Sequence, residues 1–309
     1  MNIEVKKLVD NIEKVIVGKQ EIIVKVITAL LSGGHVLIED VPGVGKTQLV
    51  SALAKSLNGV FNRIQLTPDI MPTDIVGFTM LNSETKEFEY RQGVAICNFL
   101  LADEINRASP KSQSSLLEIM EENQISLDGR TYLLPKPFMT LATQNPIETY
   151  GTFHLPEAQL DRFLMKISIG YPNLQQELEI LNMSEKSQPL KELSAVMSIN
   201  DVLRLKEEAN NVFISDKIKY YILNIVNATR NSEFIKLGAS PRGSIALMKA
   251  AKSFAFIQGR EYVVPDDVKE IVGCVLSHRI ILSSKGKSRY LDSNFAINDV
   301  FKTVAVPTN

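Results

Sequence analysis

Along the chain the apolar positions change rhythm several times, and each change marks an element. Val5, Leu8, Val9, Ile12, Val15 and Ile16 recur at helical spacing and predict an amphipathic helix over 3–16, stopped before Gly18. A second helix is predicted from Gln20 to Leu31. The unbroken run Val36-Leu37-Ile38 then reads as a strand buried on both faces, and Leu49, Leu53 and Leu57 return to helical spacing. Val60 to Leu66, Val94 to Ala102 and Phe138 to Ala142 predict further strands. A fifth strand, Leu164 to Ile169, follows a short helix within Leu155 to Phe163. Strands alternating with helices predict a three-layer α/β unit around a parallel sheet.

Two stretches interrupt the alternation. Phe78 to Leu81 and Phe88 to Arg91 flank the polar segment Asn82 to Glu87, a small exposed hairpin. Asp128-Gly129 sits between alternating segments from Ile125 to Leu133, the signal of a two-residue hairpin turn. Between them, Ser109-Pro110 opens a helix that runs to about Glu122 and buries Leu116, Leu117 and Met120. Beyond Tyr171-Pro172-Asn173 everything reads as helical: Leu174–Met183, Asn200–Asn210, Ser215–Thr229, Pro241–Phe256 and Pro265–Ser283, with Ser184 to Met197 a loose polar connection. The expected division is a nucleotide-binding core over 1–170, with inserted hairpins at about 78–91 and 123–134, and an all-helical region over 171–309.

Composition narrows the class. At 309 residues the chain is long enough for two domains, and 45% hydrophobic with 22% charged residues is ordinary for a globular protein. A net charge of −1 offers no global field for nucleic acid or an anionic membrane. Cys97 and Cys274 have neither zinc nor C-x-x-C spacing and read as buried free thiols, which suits a reducing cytosol. The N-terminus has mixed charge and no signal-peptide core, and no run approaches the ~18 apolar residues of a spanning helix. The expectation is a cytoplasmic protein without a transmembrane segment.

The chemistry concentrates at strand ends. Between the first strand and its helix lies Glu39-Asp40-Val41-Pro42-Gly43-Val44-Gly45-Lys46-Thr47, a phosphate-cradling loop. Gly43 and Gly45 let backbone N–H groups converge on phosphates at a helix N-terminus, Lys46 reaches the β- and γ-phosphates, and Thr47 offers a hydroxyl to Mg²⁺. The general pattern asks for glycine where this chain has Asp40, while the residues that touch phosphate are intact. The third predicted strand ends in Asp103-Glu104, placed to hold the Mg²⁺ shell and to polarise an attacking water. Asn145 at the next strand tip could orient that water, though a turn asparagine before Pro146 is the plainer reading. Arg242, in the first turn of a capped helix, opposes the helix dipole unless an anion is near. Val17 and Gly18 offer a place for an adenine ring, but on residue physics alone an ordinary helix–helix turn explains them better.

With these pieces placed, the chain resembles a MoxR-family AAA+ ATPase over essentially its whole length. The resemblance rests on the phosphate loop, on Leu101 to Ala108, on Ala142 to Glu148 and on Leu155-Pro156-Glu157-Ala158-Gln159-Leu160-Asp161-Arg162-Phe163, in that order. It implies a P-loop αβα core with a five-stranded parallel sheet and a C-terminal helical lid, binding ATP and Mg²⁺. It implies that Pro42, Gly43, Val44, Gly45, Lys46, Thr47 and Gln48 hold the nucleotide, with Val17 and Gly18 lining the adenine pocket. Thr47 and Asp103 would be the metal residues, Glu104 the base and Asn145 sensor 1. Arg162 would be an arginine finger reaching a neighbour's γ-phosphate, and Arg242 sensor 2 from the lid. A finger supplied in trans implies a homo-oligomeric, hexameric ring acting on a client, which in this family is often a von Willebrand A domain protein. Tyr150 and His154 depart from what relatives often carry; His154 is given no catalytic part. The hairpin tips, Asp128-Gly129-Arg130 and Ser83-Glu84-Thr85-Lys86, lack the basic or aromatic cluster that would favour a nucleic-acid motor, and an intact Glu104 and Arg162 disfavour a silent scaffold.

Overall fold

The computed structural model describes residues 1–146, 151–186 and 188–307. Five strands form one parallel sheet: β1 (Val36–Glu39), β2 (Phe61–Gln65), β5 (Phe99–Asp103), β8 (Met139–Gln144) and β9 (Met165–Ile167), in the order β2-β5-β8-β1-β9. Their side chains divide by parity. Val36 and Ile38, Phe99 and Leu101, and Met139 and Leu141 face one hydrophobic cluster, while Leu37, Leu100, Ala102 and Ala142 face the other. Helices α1 (Ile3–Glu13), α2 (Gln20–Leu31) and α3 (Lys46–Ser56) cover the first face; α4 (Pro72–Val76) and α5 (Pro110–Glu122) cover the second. A sheet buried on both sides explains the unbroken apolar runs of its strands.

Two hairpins leave this core. β3 (Gly77–Leu81) pairs with β4 (Phe88–Gln92), and β6 (Gln124–Leu127) pairs with β7 (Arg130–Leu133) through Asp128 and Gly129, both at positive φ. That is the mirror-image turn that Asp-Gly favours. Tyr90 of one hairpin stacks on Tyr132 of the other with ring centroids 4.0 Å apart.

After the short helix α6 (Glu157–Leu160) and β9 come α7 (Leu174–Lys186), α8 (Pro189–Glu192), α9 (Ile199–Asn211), α10 (Asp216–Asn231), α11 (Pro241–Ile257), α12 (Pro265–Leu276), α13 (Ser284–Arg289) and α14 (Ser293–Thr303). Buried side chains of α9, α10, α11, α12 and α14 join the cluster of α1–α3, so one hydrophobic core runs from the sheet into the lid. Among the described residues no helix is long and apolar enough to cross a membrane.

Several expectations need correction. The run Val94 to Ala102 is strand only from Phe99: Val94 and Ala95 donate instead to the carbonyls of Asp74 and Ile75 at 3.1 and 3.0 Å, so this segment is apolar because it is buried beneath α4. The first helix stops at Glu13. The lid is not wholly helical: the predicted helix over Pro265–Ser283 ends at Leu276, and β11 (Ile281–Leu282) pairs antiparallel with β10 (Ile235–Leu237). The polar connection is not loose either. It contains α8 and buries Leu193, and the Ser56 carbonyl accepts N–H groups from Val196 at 2.9 Å and Met197 at 3.2 Å. Cys97 is buried, and burial pushes its thiol up to about 12; Cys274 is only partly buried, and both are free.

Candidate active site

The phosphate loop bends as its glycines require. Gly43 and Gly45 have φ of +87° and +91°, a region open to glycine and costly for other residues, and Gly45 caps α3, whose first residues are Lys46 and Thr47. Pro42, Gly43, Gly45, Lys46, Thr47 and Gln48 share a cavity of about 350 Å³ with Asp103, Glu104 and Asn145. The strand ends that carry these side chains are neighbours in the sheet, as expected of a ligand crevice at carboxyl ends. Val44 differs from its neighbours, because its side chain turns onto the hydrophobic core.

Charge in the cavity is closely arranged. Lys46 Nζ donates to the Asp40 carbonyl at 2.7 Å; burial lowers its pKa, opposed by Asp40, Asp103 and Glu104. Asp103 is buried and accepts Thr143 Oγ1 at 2.8 Å and Arg63 Nε at 2.9 Å. Thr143 Oγ1 in turn accepts the Glu104 N–H at 2.9 Å, so one hydroxyl spaces the two acids. Glu104 adopts φ +57°, uncommon for a non-glycine residue, and the chain folds at once into a 3-10 turn that brings Arg107 Nη1 to its carboxylate at 3.0 Å. Asn145 is buried beside them.

Asp40, the departure from the general loop pattern, is buried and structural. Its carboxylate accepts the backbone N–H groups of Ile169 and Gly170, pegging the start of the loop to the connector that follows β9. Val17 and Gly18 form the turn between α1 and α2, outside that cavity. The Gly18 carbonyl accepts Gln176 Nε2 at 3.0 Å, and Lys19 Nζ donates to the Tyr171 carbonyl at 2.9 Å, so the turn abuts the same connector.

Arg162 and Arg242 are brought together, but elsewhere. They line a second cavity of about 340 Å³ with Glu121, Asp161, His35, Lys249 and Arg279. Arg162 Nε pairs with Glu121 at 3.1 Å, and Arg242 pairs with the other oxygen of that carboxylate. The anion that Arg242 needs in the first turn of α11 is thus, in the lone chain, a glutamate.

Residues 35–165 match the profile of the ATPase family associated with various cellular activities (AAA), and residues 227–294 match the AAA lid domain. Chaperone MoxR1 of Mycobacterium tuberculosis is 42% identical over 311 residues, covering 98% of this chain and 82% of that protein. The chain belongs to the MoxR-type AAA+ ATPases. Uncharacterized protein YeaC of Bacillus subtilis is 49% identical over 97% of this chain and 94% of its own. The crystal structure of a Cytophaga hutchinsonii protein assigned as an ATPase aligns with a TM-score of 0.91 at 39% identity, covering 99% of this chain and 95% of that one. As a member of this chaperone family of ATPases, the MoxR-type chain hydrolyses ATP.

Its residues fit that ligand. A glycine arc, a desolvated lysine and two hard oxygen donors, Thr47 and Asp103, on one cavity suit a triphosphate and a cation held mainly by oxygen. Arg63, Thr143 and Glu121 carried no expected role, and Asp40 read only as a tolerated departure from the loop pattern. The available signals were a charged residue, Arg63, in the middle of strand β2, and Glu121 in the last turn of α5, where the helix dipole disfavours an acid. Ile147, Glu148 and Tyr150 lie outside the described residues.

Proposed function

We propose that this MoxR-type ATPase is a cytoplasmic chaperone that works as a hexameric ring and spends ATP on remodelling, maturing or loading cofactors into client proteins, von Willebrand A domain proteins among them. The observation that carries the reading is the split of its charged machinery. Lys46, Thr47, Asp103, Glu104 and Asn145 meet in one cavity, while Arg162 and Arg242 stand on another. A single subunit then holds Lys46 at its phosphates but keeps Arg162 and Arg242 away from them, and a second copy supplies those two.

In this scheme Lys46 and the Gly43–Gly45 backbone bind the phosphates, and Gln48 follows them on α3. Val44 contributes its backbone. The base extends towards the Val17-Gly18 turn. Thr47 and Asp103 hold Mg²⁺, which neutralises charge on the phosphates. Glu104 takes the proton of the attacking water and Asn145 orients it, while Arg162 and Arg242 of the neighbour stabilise the transferring phosphoryl group.

The test is ATP turnover against protein concentration for the natural chain, Glu104→Gln and Arg162→Ala. A rate per subunit that climbs with concentration and disappears in both variants is the expected result. A rate that is independent of concentration, with Arg162→Ala unaffected, would sink the composite site.

A further inference from the structure

Glu121 and Arg242 each stand at the unfavourable end of a helix. Glu121 lies in the last turn of α5, where the dipole is negative, and Arg242 lies in the first turn of α11, where it is positive. They compensate each other, and Arg162 joins them: one carboxylate oxygen meets Arg242 Nη2 and the other meets Arg162 Nε at 3.1 Å. A single side chain therefore spans a core residue and a lid residue. A second tie lies directly beneath. Asp161, next to Arg162, accepts Ser240 Oγ at 2.7 Å, and Ser240 caps the helix that carries Arg242. The other oxygen of Asp161 accepts Nε of the buried Arg279 at 2.7 Å, and Arg279 also reaches the carbonyl of Phe163 at 2.6 Å.

We propose that Glu121 is a positioning residue that holds Arg162 and Arg242 side by side as one phosphate-receiving fork for a second copy of this chain. The inference rests on the composite-site reading above. Two guanidinium groups brought this close repel, and the carboxylate between them offsets that repulsion and fixes their spacing. It does so without consuming the fork. Each guanidinium carries five N–H donors, and Glu121 engages Arg162 at Nε and Arg242 at one terminal nitrogen. The remaining donors suit the planar, multidentate recognition of a phosphate.

The test uses assemblies that contain two kinds of subunit, purified through two different tags so that both are present. Glu104→Gln subunits keep their arginines; Arg162→Ala subunits keep their phosphate cavity. Together they should recover ATP turnover that neither shows alone. Adding Glu121→Gln to the Glu104→Gln partner should cut the recovered kcat by about 10- to 100-fold, the scale of a misplaced contact, with KM unchanged. The same change in the Arg162→Ala partner, whose arginine face is already disabled, should cost nothing further. Affinity for a fluorescent ATP analogue should not move in either case, since Glu121 is outside the phosphate cavity. Equal losses from both partners would make Glu121 a general structural residue and overturn the inference. Full recovery with Glu121→Gln on the arginine side would overturn it while leaving the composite site standing. A first mixture that stays silent would bring down the composite site, and this inference with it.

Discussion

The phosphate cavity and the arginine face enclose similar volumes, about 350 and 340 Å³, and both are strongly charged, yet they are assembled in opposite ways. The phosphate cavity is made from adjacent strand tips of one sheet. Its acids are fixed by the strand they end, and by a neighbouring threonine and arginine one strand to either side. The arginine face joins core residues 121, 161 and 162 to lid residues 242 and 279, so it is complete only when the lid docks on the core. The first site is set by the register of its sheet. The second is held by ion pairs, and its geometry reports how lid and core sit on each other.

That contrast can be broken at four points of decreasing size. If Arg162 is the finger proposed above, Arg162→Ala should lower kcat by about 10³–10⁵ while nucleotide affinity persists, because the loss falls on the transition state alone. Equal loss in kcat and affinity would place Arg162 in the binding of the ground state. Next is Asp161→Asn, which leaves the buried guanidinium of Arg279 without its carboxylate; the expected cost is about 3–5 kcal/mol of stability, read by urea unfolding, together with lower turnover.

Acid supplies the third. His35 is buried on the arginine side, where its Nδ1 accepts the Thr140 N–H at 2.9 Å and its Nε2–H donates to the Met120 carbonyl at 2.8 Å. Burial holds its pKa at about 4 against an ordinary 6.5. Above pH 6.5 the ring is neutral whether the chain is folded or not. As pH falls from 6.5 to 4 the unfolded chain takes a proton that the folded chain refuses, so stability drains away by up to roughly 3 kcal/mol. His278, buried beside Arg279, is shifted in the same direction. Melting temperature should fall over this window, and His35→Gln should flatten the fall; an unchanged slope would refute the assignment. Smallest is Asp40→Gly, which restores the glycine of the general loop pattern. It should nevertheless destabilise the chain by about 1–3 kcal/mol, because two buried N–H groups, of Ile169 and Gly170, lose their acceptor. A gain in melting temperature would show that the carboxylate is not a peg.

The same contrast explains what could be read from the residues. Gly43 to Thr47 and Asp103-Glu104 are contiguous words placed at strand ends, and the periodicity on either side gives the strands and helices that present them. Hairpin turns were legible for a similar reason, since Asp128-Gly129 determines its own backbone. Arg162 carries no such local statement and its role came only from resemblance, while Arg242 announced an anion only by its place in the first turn of a capped helix. Glu121 left only one local sign, its unfavourable place at a helix end, because its partners lie 41 and 121 residues further along the chain. Val94 to Asn98 misled for the converse reason: burial beneath α4 produces the same apolar run as a strand does.

The hydrophobic cluster that holds α1–α3, one face of the sheet and the lid has a consequence for modularity. Lid and core are separate by fold, but they solidify together. A chain cut after Gly170 would take α9 and α11 away from α2, and α12 away from β9, opening the shared hydrophobic cluster. Such a fragment should clump or swell rather than bind nucleotide weakly. Shuffling of lids among relatives would therefore have to carry the matching surface of α1–α3 along with it.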